Sequence, residues 1–268
     1  MEEMKLIKYP RTPHIEGSRL QPGDEDLSQI PFKLIQRKHI VVEEKVDGAN
    51  TALSFSQSGE LLLQSRGHYL EGGYREKHYH LFKQWANVHK DRLYSVLGQR
   101  YIMYGEWLYA KHTVYYDALP HYFLEFDIFD RDGGRYLDTA TRHALLKGLP
   151  VCSVPVLYEG VLNSREELLR LLQRSHYITD EHLANLRKES EKLGLDVERQ
   201  LRETDGSELM EGLYIKVEEN GAVVDRMKYV RASFLQTVDT SGTHWLERPI
   251  IPNRLAVPTD SLFEVNDD

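Results

Sequence analysis

At 268 residues the chain has room for one complete hydrophobic core, and no Pro/Gly/Ser-rich linker interrupts it, so residues 1–268 are read as one domain. A single cysteine, Cys152, excludes an internal disulfide and a Cys-rich zinc site and suits the reducing cytoplasm, while no long apolar run or signal-peptide core points to a membrane or to export. The formal charge of −8 argues against broad, non-specific binding to nucleic acid, yet leaves room for a local basic groove set among acidic faces.

Residues 1–31 are polar and rich in Pro and Gly, the composition of an ordered but irregular arm. Arg11, His14 and Arg19 are its candidate contacts to a substrate end, although a tail lying along the surface explains them as simply. In Val41-Val42-Glu43-Glu44-Lys45 β-branched residues lead into a lysine, Asp47-Gly48 supplies turn chemistry, and Leu53 and Phe55 alternate with Ser54 and Ser56. That pattern predicts a hairpin with Lys45 at its bend. A lysine fixed there becomes a nucleophile if desolvation or neighbouring cations remove its proton; an exposed lysine beside an ordinary turn is the plainer alternative.

Leu61-Leu62-Leu63-Gln64-Ser65 predicts the next strand, ending in Arg66 at a glycine bend, where a guanidinium either meets a phosphate or is a surface charge. Apolar residues from Leu81 to Val96 at helical spacing predict one or two covering helices over 78–97, with His80 and His89 on their surface. Tyr101–Leu108 is an apolar strand pattern that carries Glu106 beside Gly105. A carboxylate there is costly without a partner such as a ribose hydroxyl or a metal. The aromatic strand over 122–130 closes on the Asp132-Gly133-Gly134 turn, and its Phe126 is either core or a platform for a purine ring.

From Thr139 to Glu203 the apolar period turns helical and charge becomes dense, which predicts a helical insertion in which Ser164 caps a helix. Glu211–Val217 and Val223–Lys228 read as strands joined by a hairpin at Asn220-Gly221, with Arg226 and Lys228 two residues apart and so on one face. A short helix from Ala232 and a Pro-rich tail over 248–253 complete the chain.

Together these segments resemble the covalent nucleotidyltransferases, the superfamily of polynucleotide ligases and mRNA capping enzymes, and look closest to its RNA ligase 2-like class. Lys45-Val46-Asp47-Gly48 resembles the nucleotide-accepting lysine motif, Ser65-Arg66-Gly67 the arginine that follows it, and Gly105-Glu106 the ribose-binding acid. Phe126-Asp127 resembles the adenine-stacking motif, Glu211-Gly212 the metal-binding acid motif, and Arg226-Met227-Lys228 the final basic motif, all in the family's order.

The resemblance implies an α+β fold: an ATP-grasp-like nucleotidyltransferase domain of two antiparallel sheets around a nucleotide cleft, with an N-terminal arm over 1–31 and a helical insertion over about 139–203. It implies ATP and Mg²⁺ or Mn²⁺ as cofactors, RNA 5′-phosphate and 3′-hydroxyl ends as substrates, a role in RNA repair, and an end-healing kinase-phosphatase as a partner. Lys45 would form lysyl-AMP, Glu211 would hold the metal, Glu106 the ribose and Phe126 the adenine. Arg66 would meet the 5′-phosphate, Lys216 another phosphate, and Arg226 and Lys228 would offset phosphate charge and keep the Lys45 amine neutral. Two departures stand out. The first basic position of the last motif is Arg226 where the family usually has lysine, and residues 229–268 leave little room for the family's C-terminal domains. DNA nick sealing, adenylation of another target, and a non-covalent nucleotide-binding module are the rival readings.

Overall fold

The structure, a computed structural model, describes residues 6–20, 24, 28–241 and 248–265; the remainder of the expected arm lies outside the described residues. The strands are β1 (Ile40–Lys45), β2 (Ala49–Phe55), β3 (Leu61–Ser65), β4 (Tyr101–Trp107), β5 (Phe123–Asp130), β6 (Arg135–Leu137), β7 (Cys152–Ser153), β8 (Val156–Gly160), β9 (Gly212–Glu219) and β10 (Ala222–Val230). The helices are α1 (His80–Val88), α2 (Lys90–Leu97), α3 (Thr139–Leu146), α4 (Arg165–Leu169), α5 (His182–Lys192), α6 (Val197–Arg202) and α7 (Ala232–Ser241). The sheet runs β3-β2-β4-β5-β6-β10-β9-β1-β8, with β7 added parallel to β5. The expected α+β architecture is therefore present. Its two antiparallel arrays, β3-β2-β4-β5 and β10-β9-β1-β8, are hydrogen-bonded through the short β6 into one open path.

That order corrects the reading of the Lys45 stretch. β1 pairs with β8 and β9, and β2 pairs with β3 and β4, so no hairpin joins them. Residues 46–48 instead carry the chain from one array to the other, because local turn chemistry reports a change of direction and not the partner that follows it. Gly48 is needed here for space: a Cβ would stand 2.7 Å from the Trp107 carbonyl oxygen and 2.6 Å from Leu108. At Asn220 (φ 53°) and Gly221 (φ 78°) the predicted β9–β10 hairpin does form, both central residues having the positive φ of a tight primed turn.

The two largest core clusters among the described residues pack on the sheet. Leu53, Phe55, Met103 and Phe123 pack against Phe82, Trp85 and Leu93 of α1 and α2, whose apolar residues recur at helical spacing. Ile40, Val42, Leu213, Ile215 and Met227 pack against Ile15, Phe32 and Leu168. His80 is exposed as expected, but His89 is buried, and its Nε2 lies 2.7 Å from the Leu262 carbonyl oxygen. The segment 139–203 is mixed rather than helical: β7 and β8 lie inside it, and β8 extends the sheet beside β1. Ser164 does cap α4, accepting a hydrogen bond from the Glu167 amide.

Candidate active site

Strand alternation decides what faces the cleft. In β1, Ile40 and Val42 point into the core, so Glu43 and Lys45 point the other way. Cross-strand register puts Tyr214 and Lys216 of β9 and Arg226 and Lys228 of β10 on that same face, since Glu43 pairs with Tyr214, Lys228 with Tyr214 and Arg226 with Lys216. On the opposite array, Asn50 pairs with Glu106, which turns both toward the cleft, while Leu53 and Met103 fill the core behind.

Between the arrays lies a cavity of about 1010 Å³ lined by Lys45, Arg66, Glu106, Phe126, Glu211 and Lys228 among others. These were widely spaced in sequence and are one site in space. Lys45 Nζ sits 2.9 Å from both carboxylate oxygens of Glu211. Burial alone would favour the neutral amine, but Glu211, Glu106 and Asp47 outweigh it and raise the lysine pKa. The expectation that nearby cations keep Lys45 neutral is thus not met: the acids around the amine favour its charged form. Burial, opposed by Lys45 and reinforced by the other acids, pushes Glu106 up to about 8 and Glu211 up to about 7. Lys228 is lowered, by burial first and then by Lys45.

Two predicted residues do not line the cavity. Lys216 is wholly buried beneath it, 2.9 Å from Glu43 and 3.3 Å from Asp127, and donates to the Phe126 carbonyl oxygen. Its charge is committed to the protein, so it is not placed for a phosphate. Glu43 in turn pairs with buried Arg142, which also meets Glu125 at 3.2 Å, so a buried ionic lattice forms the floor of the cleft. Arg226 lies with its guanidinium 3.9 Å from the Tyr136 ring centre and 5.3 Å from that of Tyr9, stacked on aromatics beside the cavity.

The N-terminal arm enters the site differently from the expectation. His14 is fully buried, bonded to Ser18 at 2.6 Å and Asp24 at 3.2 Å, and cannot reach a substrate end. Arg11 pairs with Asp24 and Arg19 with Asp239. Asp24 also lines the cavity and pairs with Lys228. Sequence reasoning missed Tyr9, Thr12, His112 and Arg248, which line the same cavity. A histidine within Lys111-His112-Thr113 is an ordinary loop pattern, and nothing near Tyr9 in sequence marks it. Burial holds His112 near 4, hence neutral, with its Nδ1 3.9 Å from Asp47, while the Asp47 carboxylate accepts the Thr113 and Val114 amides at 2.7 and 2.8 Å.

Glu211 is a buried hard-oxygen donor of the kind that suits Mg²⁺ or Mn²⁺. Among the described residues no three His, Cys, Asp or Glu side chains form a ready-made metal cluster. The donor set therefore fits an ion whose shell is completed by phosphate oxygens and water, as Mg²⁺ sites commonly are. No described helix is long and apolar enough to cross a membrane.

A sequence model described as RNA ligase matches residues 38–230, a span that leaves the N-terminal arm outside. Among solved structures the chain is similar to a mutant RNA ligase of Naegleria gruberi in its apo form, with a TM-score of 0.56 and 16% identity over 87% of this chain and 58% of that one. It is similar also to a mutant of the same ligase with ATP and Mn (TM-score 0.51, 16% identity, 77% of this chain and 53% of that one). A third, with AMP and Mn, gives a TM-score of 0.53 at 15% identity over 86% of this chain and 57% of that one. At this identity the likeness is one of fold, and the chain spans a little over half the length of these structures. A search of curated proteins found no match.

Proposed function

The chain belongs to the RNA ligase family, and from that premise we propose that it is an ATP-dependent RNA ligase that joins 5′-phosphate to 3′-hydroxyl ends through AMP carried covalently on Lys45. The observation that carries this reading is the convergence of Lys45, Arg66, Glu106, Phe126, Glu211 and Lys228 on one cavity. The lysine is the nucleophile. Its amine must first shed the proton that Glu211 now holds in place; the lone pair then forms a bond to the α-phosphorus of ATP as the bond to the bridging oxygen breaks and pyrophosphate leaves. A 5′-phosphate oxygen next attacks that phosphorus and frees Lys45, and a 3′-hydroxyl finally displaces AMP to leave the joined strand.

All three steps are in-line displacements, so the protein's task is to position groups and offset charge. Lys228 faces the phosphates, Glu106 the ribose hydroxyls, Phe126 the adenine and Arg66 the 5′-phosphate. A divalent ion on Glu211 would supply charge neutralisation at the phosphates. The related ligase structures contain ATP or AMP with Mn, which supports the same pair of cofactors here. Arg226 acts from behind the cleft wall. The biological setting in this proposal is cytoplasmic RNA repair, with an end-healing kinase-phosphatase preparing the termini; a chain with one cysteine suits that compartment.

The test is joining of labelled strands carrying 5′-phosphates, presented as RNA and as DNA with ATP and Mg²⁺ or Mn²⁺. RNA joining is the expected result. Joining of DNA alone, or of neither, would contradict the proposal.

A further inference from the structure

We propose that Asp24 is a built-in competitor for phosphate: its carboxylate holds the Lys228 ammonium and must be displaced before a polyphosphate chain can use that lysine, so the N-terminal arm sets the affinity for nucleotide. The inference rests on the reading above that Lys228 faces the phosphates. It is independent of what Lys45 does afterwards.

Asp24 lines the cavity, and three N–H donors converge on its two oxygens. Oδ1 accepts from Arg11 at 3.1 Å; Oδ2 accepts from His14 Nε2 at 3.2 Å and from the Lys228 ammonium. Burial, with Lys228 beside it, lowers His14 below its ordinary 6.5 and leaves the ring neutral. Its one ring proton then belongs on Nε2, facing the carboxylate, while the Ser18 hydroxyl donates to Nδ1 at 2.6 Å. Burial alone would raise the Asp24 carboxyl, but Lys228, Arg11 and His14 outweigh it and lower it, so the group is an anion at neutral pH. An ammonium, a guanidinium and an imidazole N–H around one anion are the donors that a phosphate oxygen also seeks.

The arm is fixed to the sheet by other contacts. Lys228 N donates to Pro13 O and Ile15 N to Lys228 O, both at 2.9 Å, and Arg19 N donates to Val230 O at 3.1 Å, so the arm runs along β10. Ile30 N donates to His14 O at 2.7 Å, which places Asp24 between two anchored residues, Arg19 and Ile30. None of these backbone bonds uses the Asp24 carboxylate, so exchanging it for a phosphate leaves the arm on the sheet.

Calorimetry on the full chain would measure binding of inorganic tripolyphosphate, ATP and adenosine to wild type and to Asp24→Asn, which keeps the side chain's shape and removes its charge. Asp24→Asn should bind tripolyphosphate and ATP about tenfold more tightly, the measure of one charge-assisted hydrogen bond that no longer has to be surrendered, and adenosine as wild type does. In a Lys228→Met background the same substitution should gain little, because the ammonium under competition is gone. Wild type supplies a second reading: carbodiimide coupling at Asp24 should quicken when tripolyphosphate is bound. These readings use neither label transfer nor strand joining, so a protein that fails to join RNA refutes the ligase reading and leaves them intact. Equal or weaker tripolyphosphate binding by Asp24→Asn, a gain of the same size in Lys228→Met, or a coupling rate indifferent to tripolyphosphate would overturn the proposal.

Discussion

Lys45 Nζ lies 2.9 Å from both carboxylate oxygens of Glu211, so the proposed nucleophile and the proposed metal ligand hold each other. The pair keeps the amine charged and poorly nucleophilic. Any step that uses Lys45 must first break this contact, and Glu211 is where an incoming positive charge would do it.

Glu211→Gln keeps the shape of the side chain and removes its charge. It should abolish formation of lysyl-AMP while leaving the fold intact, with a stability loss of about 1–3 kcal/mol because a mostly buried ammonium keeps an amide oxygen as acceptor but loses its counter-charge. Label transfer and urea unfolding together check this; an active variant would remove Glu211 from the site.

Arg226→Lys distinguishes a phosphate clamp from a stacked wall. The family usually has lysine at this position, so a site that uses only the charge would tolerate it. The guanidinium lies 3.9 Å over Tyr136, however, and a lysine cannot reproduce that planar contact. The expected outcome is a loss of a few-fold in ATP affinity, in line with about 0.5–1 kcal/mol for such a contact, and full retention would show that only the charge matters.

Gly48→Ala should lower stability by about 1–3 kcal/mol through overpacking, since its Cβ would stand 2.7 Å from the Trp107 carbonyl. Activity should fall too, because the strain sits three residues from Lys45. Gly67→Ala is the control: among the described residues no atom beyond its chain neighbours lies within 4 Å of its Cβ, and its unfolding midpoint should match wild type.

Asp130 gives a pH signature away from the cleft. Its hydrogen bonds from Arg100, at 2.8 and 2.7 Å, hold its carboxyl down to about 2 from an ordinary 3.8. A depressed folded-state pKa stabilises the protein above the unfolded value, so the contribution is complete above pH 3.8 and is lost as pH falls toward 2. It should be worth about 1–2 kcal/mol, discounted because the Arg100 side chain is half exposed. Unfolding curves of wild type and Asp130→Asn should converge across that window and stay parallel above it.

What was legible in the sequence were residues whose chemistry clashes with their strand. Glu106 in an apolar run announces a site because a buried acid needs a partner, Glu211 stood out through its resemblance to a metal-binding acid motif, and both line the cavity. Arg226 and Lys228 share a face because alternation is a property of any strand. Partners were not legible. The Asp47-Gly48 turn looked like a hairpin because nothing local encodes that β1 and β2 join different arrays, and β8 was hidden in a charged, helix-period segment as five residues after Pro155. His14, His89 and Lys216 carry ordinary surface letters and are buried by contacts made from far along the chain.

The most direct measurement is transfer of label from α-labelled ATP to the protein, followed by denaturation and mapping of the modified residue. Wild type with Mg²⁺ or Mn²⁺ should retain AMP on Lys45, and Lys45→Ala and Lys45→Arg should retain none, since arginine keeps its proton and cannot attack phosphorus. Label on wild type that persists in either variant, or that maps elsewhere, would contradict the assignment of Lys45 as the nucleophile.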